Sequence, residues 1–164
     1  MHRGGDLGSL LTREWMLVAF LMSVIAILAL SSILLSNPPE EKALCSGSTE
    51  CFEGTVTRIV DGDTLYVDDI KIRLALVDTP EEGEEGYEEA SQFAESLCPV
   101  GSQAMVDQDD WQLYDRYGRM LAVVHCGEKN LNKELLDEGH AFILTRYCDE
   151  SEFGNQEWAR DYGC

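Results

Sequence analysis

Residues 55–77, TVTRIVDGDTLYVDDIKIRLALV, decide the fold. The β-branched run 55–60 breaks at Asp61-Gly62-Asp63, resumes over 64–67, turns at Asp68-Asp69 and continues over 71–77. Each run has strand length and ends in turn formers, so three antiparallel strands in a meander follow. Pro80 and the acidic stretch 81–89 end the meander. Beyond it, Ala90, Phe93, Ala94 and Leu97 recur at i, i+3, i+4 and i+7, which predicts a helix over 87–97.

Residues 103–106 and 120–125 read as two more strands, joined through Asp115-Arg116-Tyr117-Gly118-Arg119. Asn132 is placed to cap a helix over 133–138 that stops at Gly139, and 151–162 reads as a last helix. Five short strands with about three helices predict a mainly β, α+β domain: a five-stranded closed barrel of the OB type with helices packed on it. No internal repeat is visible.

The 164-residue chain has 12 basic and 31 acidic residues, a formal charge of −19. Arg3, Arg13, Asp6 and Glu14 cancel within 1–36, so the part beyond carries the whole −19. With 45% hydrophobic residues this is not a disordered acidic tail, but the charge argues against partners held by bulk electrostatics, such as DNA or an anionic lipid surface. Residues 15–36 contain no charge over 22 positions, enough at about 1.5 Å per residue to span a hydrocarbon core of about 30 Å. The run is longer than a signal-peptide core and lacks a clean A-x-A site, so an uncleaved anchor is expected, with a cleaved signal and secretion as the alternative. Arg3 and Arg13 precede it, which places 1–14 in the cytoplasm and the remainder outside. The expected organisation is then a cytoplasmic segment at 1–14, a transmembrane helix at 15–36, a linker at 37–52 and a domain at 53–164, in a monomer held to the membrane through 15–36. All six cysteines follow the helix, with no C-x-x-C pair, so disulfides outrank a zinc cluster. The short spacings favour Cys45 with Cys51 and Cys148 with Cys164.

Asp63 follows a glycine turn, Asp78 and Glu81 lie just past the apolar run 74–77, Arg73 lies inside that strand, and Arg119 opens another. Carboxylates at strand ends can converge on a hard cation, and guanidinium groups can clamp a phosphate. On spacing alone, turn residues and surface ion pairs explain them equally well. Asp107, Asp109 and Asp110 read as a solvated loop. Trp111 and Trp158 are open to a base-stacking or a packing reading, and none of the three histidines has a role assigned.

The segments 60–64 (VDGDT), 72–81 (IRLALVDTPE) and 115–122 (DRYGRMLA) resemble the three signature blocks of the staphylococcal nuclease family. Glu89-Ala90-(x)2-Phe93 and Leu131-Asn132-(x)2-Leu135-(x)3-Gly139-x-Ala141 extend the likeness over about 53–150 in family order. The resemblance implies an OB barrel and a Ca²⁺-dependent nuclease hydrolysing DNA or RNA. It implies Asp63 and Asp78 as side-chain ligands of one calcium ion, the Thr79 carbonyl as a further ligand, Glu81 as general base, and Arg73 and Arg119 on the scissile phosphate. Tyr117 and Tyr147 match nucleotide-contacting positions, whereas Thr145 replaces a second such tyrosine. Six glutamates in 81–89 and only four lysines in the chain leave the expected basic face thin. The competing reading is an idle OB-type binding module for a basic protein, which has no need of the intact acid and arginine set.

Overall fold

A computed structural model describes residues 44–164, together with Met22 and Ser23. The expected membrane helix over 15–36 therefore lies, apart from those two helical residues, outside the described residues. Among the described residues no helix is long and apolar enough to cross a membrane. The chain divides into two compact units at residues 42 and 43; the second is described here.

Its frame is a curled sheet. Strands β1 (Cys51–Ile59), β2 (Thr64–Val67) and β3 (Ile70–Leu74) form the expected antiparallel meander. β5 (Gln103–Gln108) pairs with the outer side of β1, and β6 (Met120–Cys126) pairs with β5. β6 also runs parallel to β3, with Ile72 opposite Met120 and Leu74 opposite Ala122, and this pairing closes a five-stranded OB-like barrel. Alternation along the strands sends Val56, Leu65, Val67, Ile72, Leu74, Val106, Ala122 and Val124 inward, all essentially without solvent contact. Closure leaves no open sheet edge along β3.

After β3 the backbone turns at Leu76, a rare left-handed leucine with φ 64°, into the short β4 (Val77–Asp78). β4 pairs with β8 (Phe142–Ile143), while β7 (Lys129–Asn130) folds back antiparallel on the end of β6. Helix α1 (Tyr87–Leu97) buries Ala90 and Ala94. Gly62 permits its approach: a Cβ there would lie 2.8 Å from both the Ala90 Cβ and the Thr79 Cγ2. Any larger residue would push the turn before Asp63 away from Thr79.

Helix α2 (Leu131–Asp137) is capped by Asn130, whose side chain accepts from the Lys133 amide, and not by Asn132. Asn132 is fully buried and stitches the core: it accepts from the Val124 amide and donates to the Ala75 and Ala122 carbonyls. The expected terminal helix over 151–162 is also corrected. The segment forms two 3₁₀ turns, Thr145–Glu150 and Glu152–Asn155, and a short α3 (Glu157–Asp161). Gly154 lies so close to the Cys148 carbonyl that a Cβ would sit 2.0 Å from its oxygen, an approach that a continuous helix does not provide.

Three disulfides join Cys45 to Cys51, Cys98 to Cys126 and Cys148 to Cys164. The first and third are the short-range pairs expected from spacing, and the second ties the end of α1 to the end of β6. Residues 45–50 are fastened to the domain through the first disulfide and through carboxylates of Asp107 and Asp110.

Candidate active site

The chain from β2 to β4 brings Asp63, Arg73, Asp78 and Thr79 together. Arg73 points from β3 with its side chain only 9% exposed, and a buried guanidinium needs full pairing. Its Nε lies 3.1 Å from Asp63 Oδ1, and its Nη2 donates to Asp78 Oδ1 at 2.6 Å. Its Nη1 donates to the carbonyls of Leu74 and Val77 at 3.0 and 2.5 Å. One guanidinium thus sets the positions of two carboxylates and the backbone jog between β3 and β4.

Asp63 is saturated from the other side. Its Oδ2 accepts from the Thr79 amide and hydroxyl at 2.8 and 3.0 Å, and its Oδ1 accepts from the Thr64 hydroxyl at 3.1 Å. The Thr64 hydroxyl in turn accepts from Arg119 Nη1 at 3.2 Å. Arg119 is steadied by Asp115, which accepts from its backbone amide at 2.9 Å and from Nε at 2.6 Å. Burial opposes ionisation of Asp115, but the donors of Arg119 and Tyr117 and the Arg119 charge hold its carboxyl below the usual range. Asp61 shifts the other way: burial, then the charge of Asp63, raises it. A continuous hydrogen-bonded chain therefore runs Asp115, Arg119, Thr64, Asp63, Arg73, Asp78.

Arg73, Asp78, Asp115 and Arg119 open on a cleft of about 770 Å³ lined also by Glu81, Tyr117 and Tyr147, with Asp63, Thr64 and Thr79 hydrogen-bonded behind them. Glu81 is exposed; its amide donates to Glu84 Oε2 at 2.9 Å and its carbonyl accepts from the Glu84 amide, so a tight turn after Pro80 presents its carboxylate. Tyr117 is 69% exposed, with the Arg116 and Arg119 guanidinium carbons 4.7 and 5.5 Å from its ring centre. Tyr147 is half-buried under Arg146, and Thr145 is exposed outside the cleft lining. Of the side chains that the resemblance implied, Arg73, Asp78, Glu81, Tyr117, Arg119 and Tyr147 thus line one cleft, and Asp63 and Thr79 lie beside it through hydrogen bonds. Two partners were not singled out for a role: Thr64, which joins the arginine pair, and Asp115, which aims Arg119. Both lie inside the quoted blocks, and only contacts across the barrel give them a task.

The donor set suits a hard cation. Asp63, Asp78 and the Thr79 carbonyl offer oxygen alone; Asp63 would have to release one of its hydrogen bonds to bind a cation, whereas Asp78, half exposed, has a second carboxylate oxygen with no protein hydrogen bond among the described residues. No third carboxylate, imidazole or thiolate joins them among the described residues, so water or substrate oxygens would complete a six- to eight-fold shell.

Asp107, Asp109 and Asp110 are corrected: they are not a solvated loop. Asp107 and Asp109 are buried and, with Asp110, accept hydrogen bonds from Ser46, Ser48, Thr49, Trp111 and Gln112. Trp158 is buried in the core, which settles its packing role, whereas Trp111 is exposed in the cleft. His140 packs on the Phe93 ring, and burial lowers the pKa of His125.

The sequence profile described as staphylococcal nuclease homologue matches residues 71–160. The chain is 31% identical over 130 residues to the thermonuclease of Staphylococcus hyicus, covering 73% of this chain and 75% of that protein. It is 32% identical over 123 residues to endonuclease YncB of Bacillus subtilis strain 168, covering 65% and 58% respectively. It is 31% identical over 123 residues to the micrococcal nuclease of Shigella flexneri, covering 67% and 68%.

Proposed function

The chain belongs to the staphylococcal nuclease family, and from that membership we propose that it is a Ca²⁺-dependent nuclease hydrolysing phosphodiester bonds of DNA or RNA outside the cytoplasm. The observation that carries this reading is the linked set Arg119, Thr64, Asp63, Arg73, Asp78, of which Arg119, Arg73 and Asp78 line one cleft together with Glu81. The relatives named thermonuclease, endonuclease and micrococcal nuclease support the same chemistry.

Asp63, Asp78 and the Thr79 carbonyl would hold the calcium ion. Bound there, it supplies positive charge against the negative charge that grows on the phosphoryl oxygens. Arg119, aimed by Asp115, and Arg73 bind the phosphate and stabilise that charge where it develops. Glu81 orients the attacking water and takes its proton, while the water oxygen forms the new P–O bond and the bond to the leaving sugar oxygen breaks. The exposed turn leaves the Glu81 carboxylate able to swing toward a bound phosphate.

Anchorage rests on the uncharged run 15–36, and outward orientation on Arg3 and Arg13 before it. The three disulfides support an oxidising compartment.

The test is digestion of plasmid and single-stranded DNA, and of RNA, by the full-length protein in Ca²⁺ or EGTA. Cleavage in Ca²⁺ that EGTA abolishes is the expected result. No cleavage across a salt series, or cleavage indifferent to EGTA, counts against it. Protease protection of closed membrane vesicles checks the topology: the C-terminal domain should be cut only from the non-cytoplasmic side.

A further inference from the structure

Four of the six arginines beyond residue 36 line the cleft: Arg73, Arg116, Arg119 and Arg146. Asp78, Glu81, Asp109 and Asp115 line it too, so formal charge in the cleft cancels while the whole chain carries −19. Arginine and metal contacts can grip one phosphate, but no net field draws in the rest of a polyanion. Affinity for the flanking nucleotides needs a source that is not charge.

One stretch of the lining provides it. Trp111 is 59% exposed and Tyr114 56%, beside the exposed Tyr117. Large aromatic rings left in water forgo substantial burial, so such a cluster is informative. The backbone under it is not loose. Buried Asp109 accepts from the amides of Trp111 and Gln112 at 2.9 and 3.1 Å. Buried Gln108 donates to the Leu113 carbonyl at 3.1 Å, the Gln112 side chain donates to Glu150 at 2.7 Å, and Tyr114 bridges to Met120 on β6. The loop is fixed and its rings are presented, which lowers the ordering cost of any ligand laid on them.

We propose that Trp111 and Tyr114 form a base-stacking platform that takes unpaired nucleobases flanking the phosphate held by Arg73 and Arg119. The occupant is a single-stranded stretch of nucleic acid, because a π-face fits any base and the neutral cleft pays little electrostatic penalty there. This deepens the nuclease reading and rests on it. It also makes binding depend weakly on salt, in contrast to a protein that grips many phosphates.

Binding and turnover are measured separately on the full-length protein in Ca²⁺. Steady-state cleavage of a single-stranded oligonucleotide gives kcat and KM, and fluorescence anisotropy on the Glu81→Gln background gives Kd without turnover. Trp111→Ala and Tyr114→Ala should each raise KM and Kd on the order of tenfold, with kcat within about twofold. Trp111→Phe should recover most of the loss, and Val100→Ala, an exposed apolar residue outside the cleft, should change nothing. The parent should bind an abasic strand of equal length more weakly by a similar factor, and the Trp111→Ala, Tyr114→Ala double variant should not distinguish the two strands. Equal binding of base-bearing and abasic strands by the parent, or unchanged KM and Kd in both alanine variants, overturns the platform and leaves the patch to a different partner. Platform-dependent binding without cleavage removes the nuclease reading alone; no binding at all removes both.

Discussion

Asp63 and Asp78 are gripped by one buried guanidinium, whereas Asp107, Asp109 and Asp110 accept almost wholly from backbone amides and hydroxyls. Of the first pair, Asp78 lines a cleft that also holds three more arginines and Glu81. The second group is consumed in fastening 46–49 and 111–112 to the barrel. Glu152, which accepts from the Asp110 amide, joins that group. Burial, then the charges of Asp110, Asp107 and Asp109, raises its pKa, and burial likewise raises Asp107. Asp110, surrounded by donors from Ser48 and Thr49, is pulled down to about 2. Carboxylate clusters that look alike in composition thus differ in what saturates them: amide donors make a staple, and a shared arginine leaves a site.

That contrast can be broken from either side. The largest effects belong to the cleft. Glu81→Gln should lower kcat by about 10²–10⁴-fold, the range for a positioned general base, with an unchanged melting temperature because the side chain is exposed. Arg119→Ala should cost about 2.7–4 kcal/mol in kcat/KM, comparable to loss of an oxyanion donor; a loss under threefold would end its assignment to the phosphate. The reverse pattern is expected in the staple. Asp109→Ala orphans the amides of Trp111, Gln112 and Glu152 and should destabilise the fold by about 2–4 kcal/mol in chemical denaturation. Its kcat should stay within a few-fold of the parent at 25 °C.

The smallest effect is one of pH. A carboxyl with a depressed folded pKa adds stability above its unfolded value, near 3.8 for Asp110, and loses it as pH falls toward about 2. The melting-temperature gap between the parent and Asp110→Asn should therefore narrow from pH 4 to pH 2. A constant gap across that window would mean that the charge on Asp110 contributes nothing.

The meander was legible because its strands end in Asp-Gly and Asp-Asp turns and its apolar residues keep a period of two. Helix α1 was legible from its four-residue apolar stripe. What sequence left ambiguous depended on distant partners. Two asparagines stand two residues apart at the start of α2, and only the neighbouring Val124, Ala75 and Ala122 make Asn132 a core linker and leave Asn130 as the cap. The Asp107–Asp110 group resembles an exposed loop until 46–49, some sixty residues earlier, is laid against it. At the site, residue types in the three blocks pointed to phosphate and cation chemistry through resemblance. The tie through Thr64 needed β2 and the residue before β6 brought to either side of β3.

The tie from Arg119 to Thr64 has a kinetic consequence. For it to form, β3 must first meet β6 across a long sequence gap, Ile72 to Met120, and pairings of that range form late and slowly. Arg119 takes its place beside Thr64 and Asp63 only when that seam has closed, so during refolding hydrolysis should return with the slowest phase, after most secondary structure has already reappeared. A growing or partly folded chain is then inert toward the nucleic acid around it, and the enzyme is armed by its own final folding step.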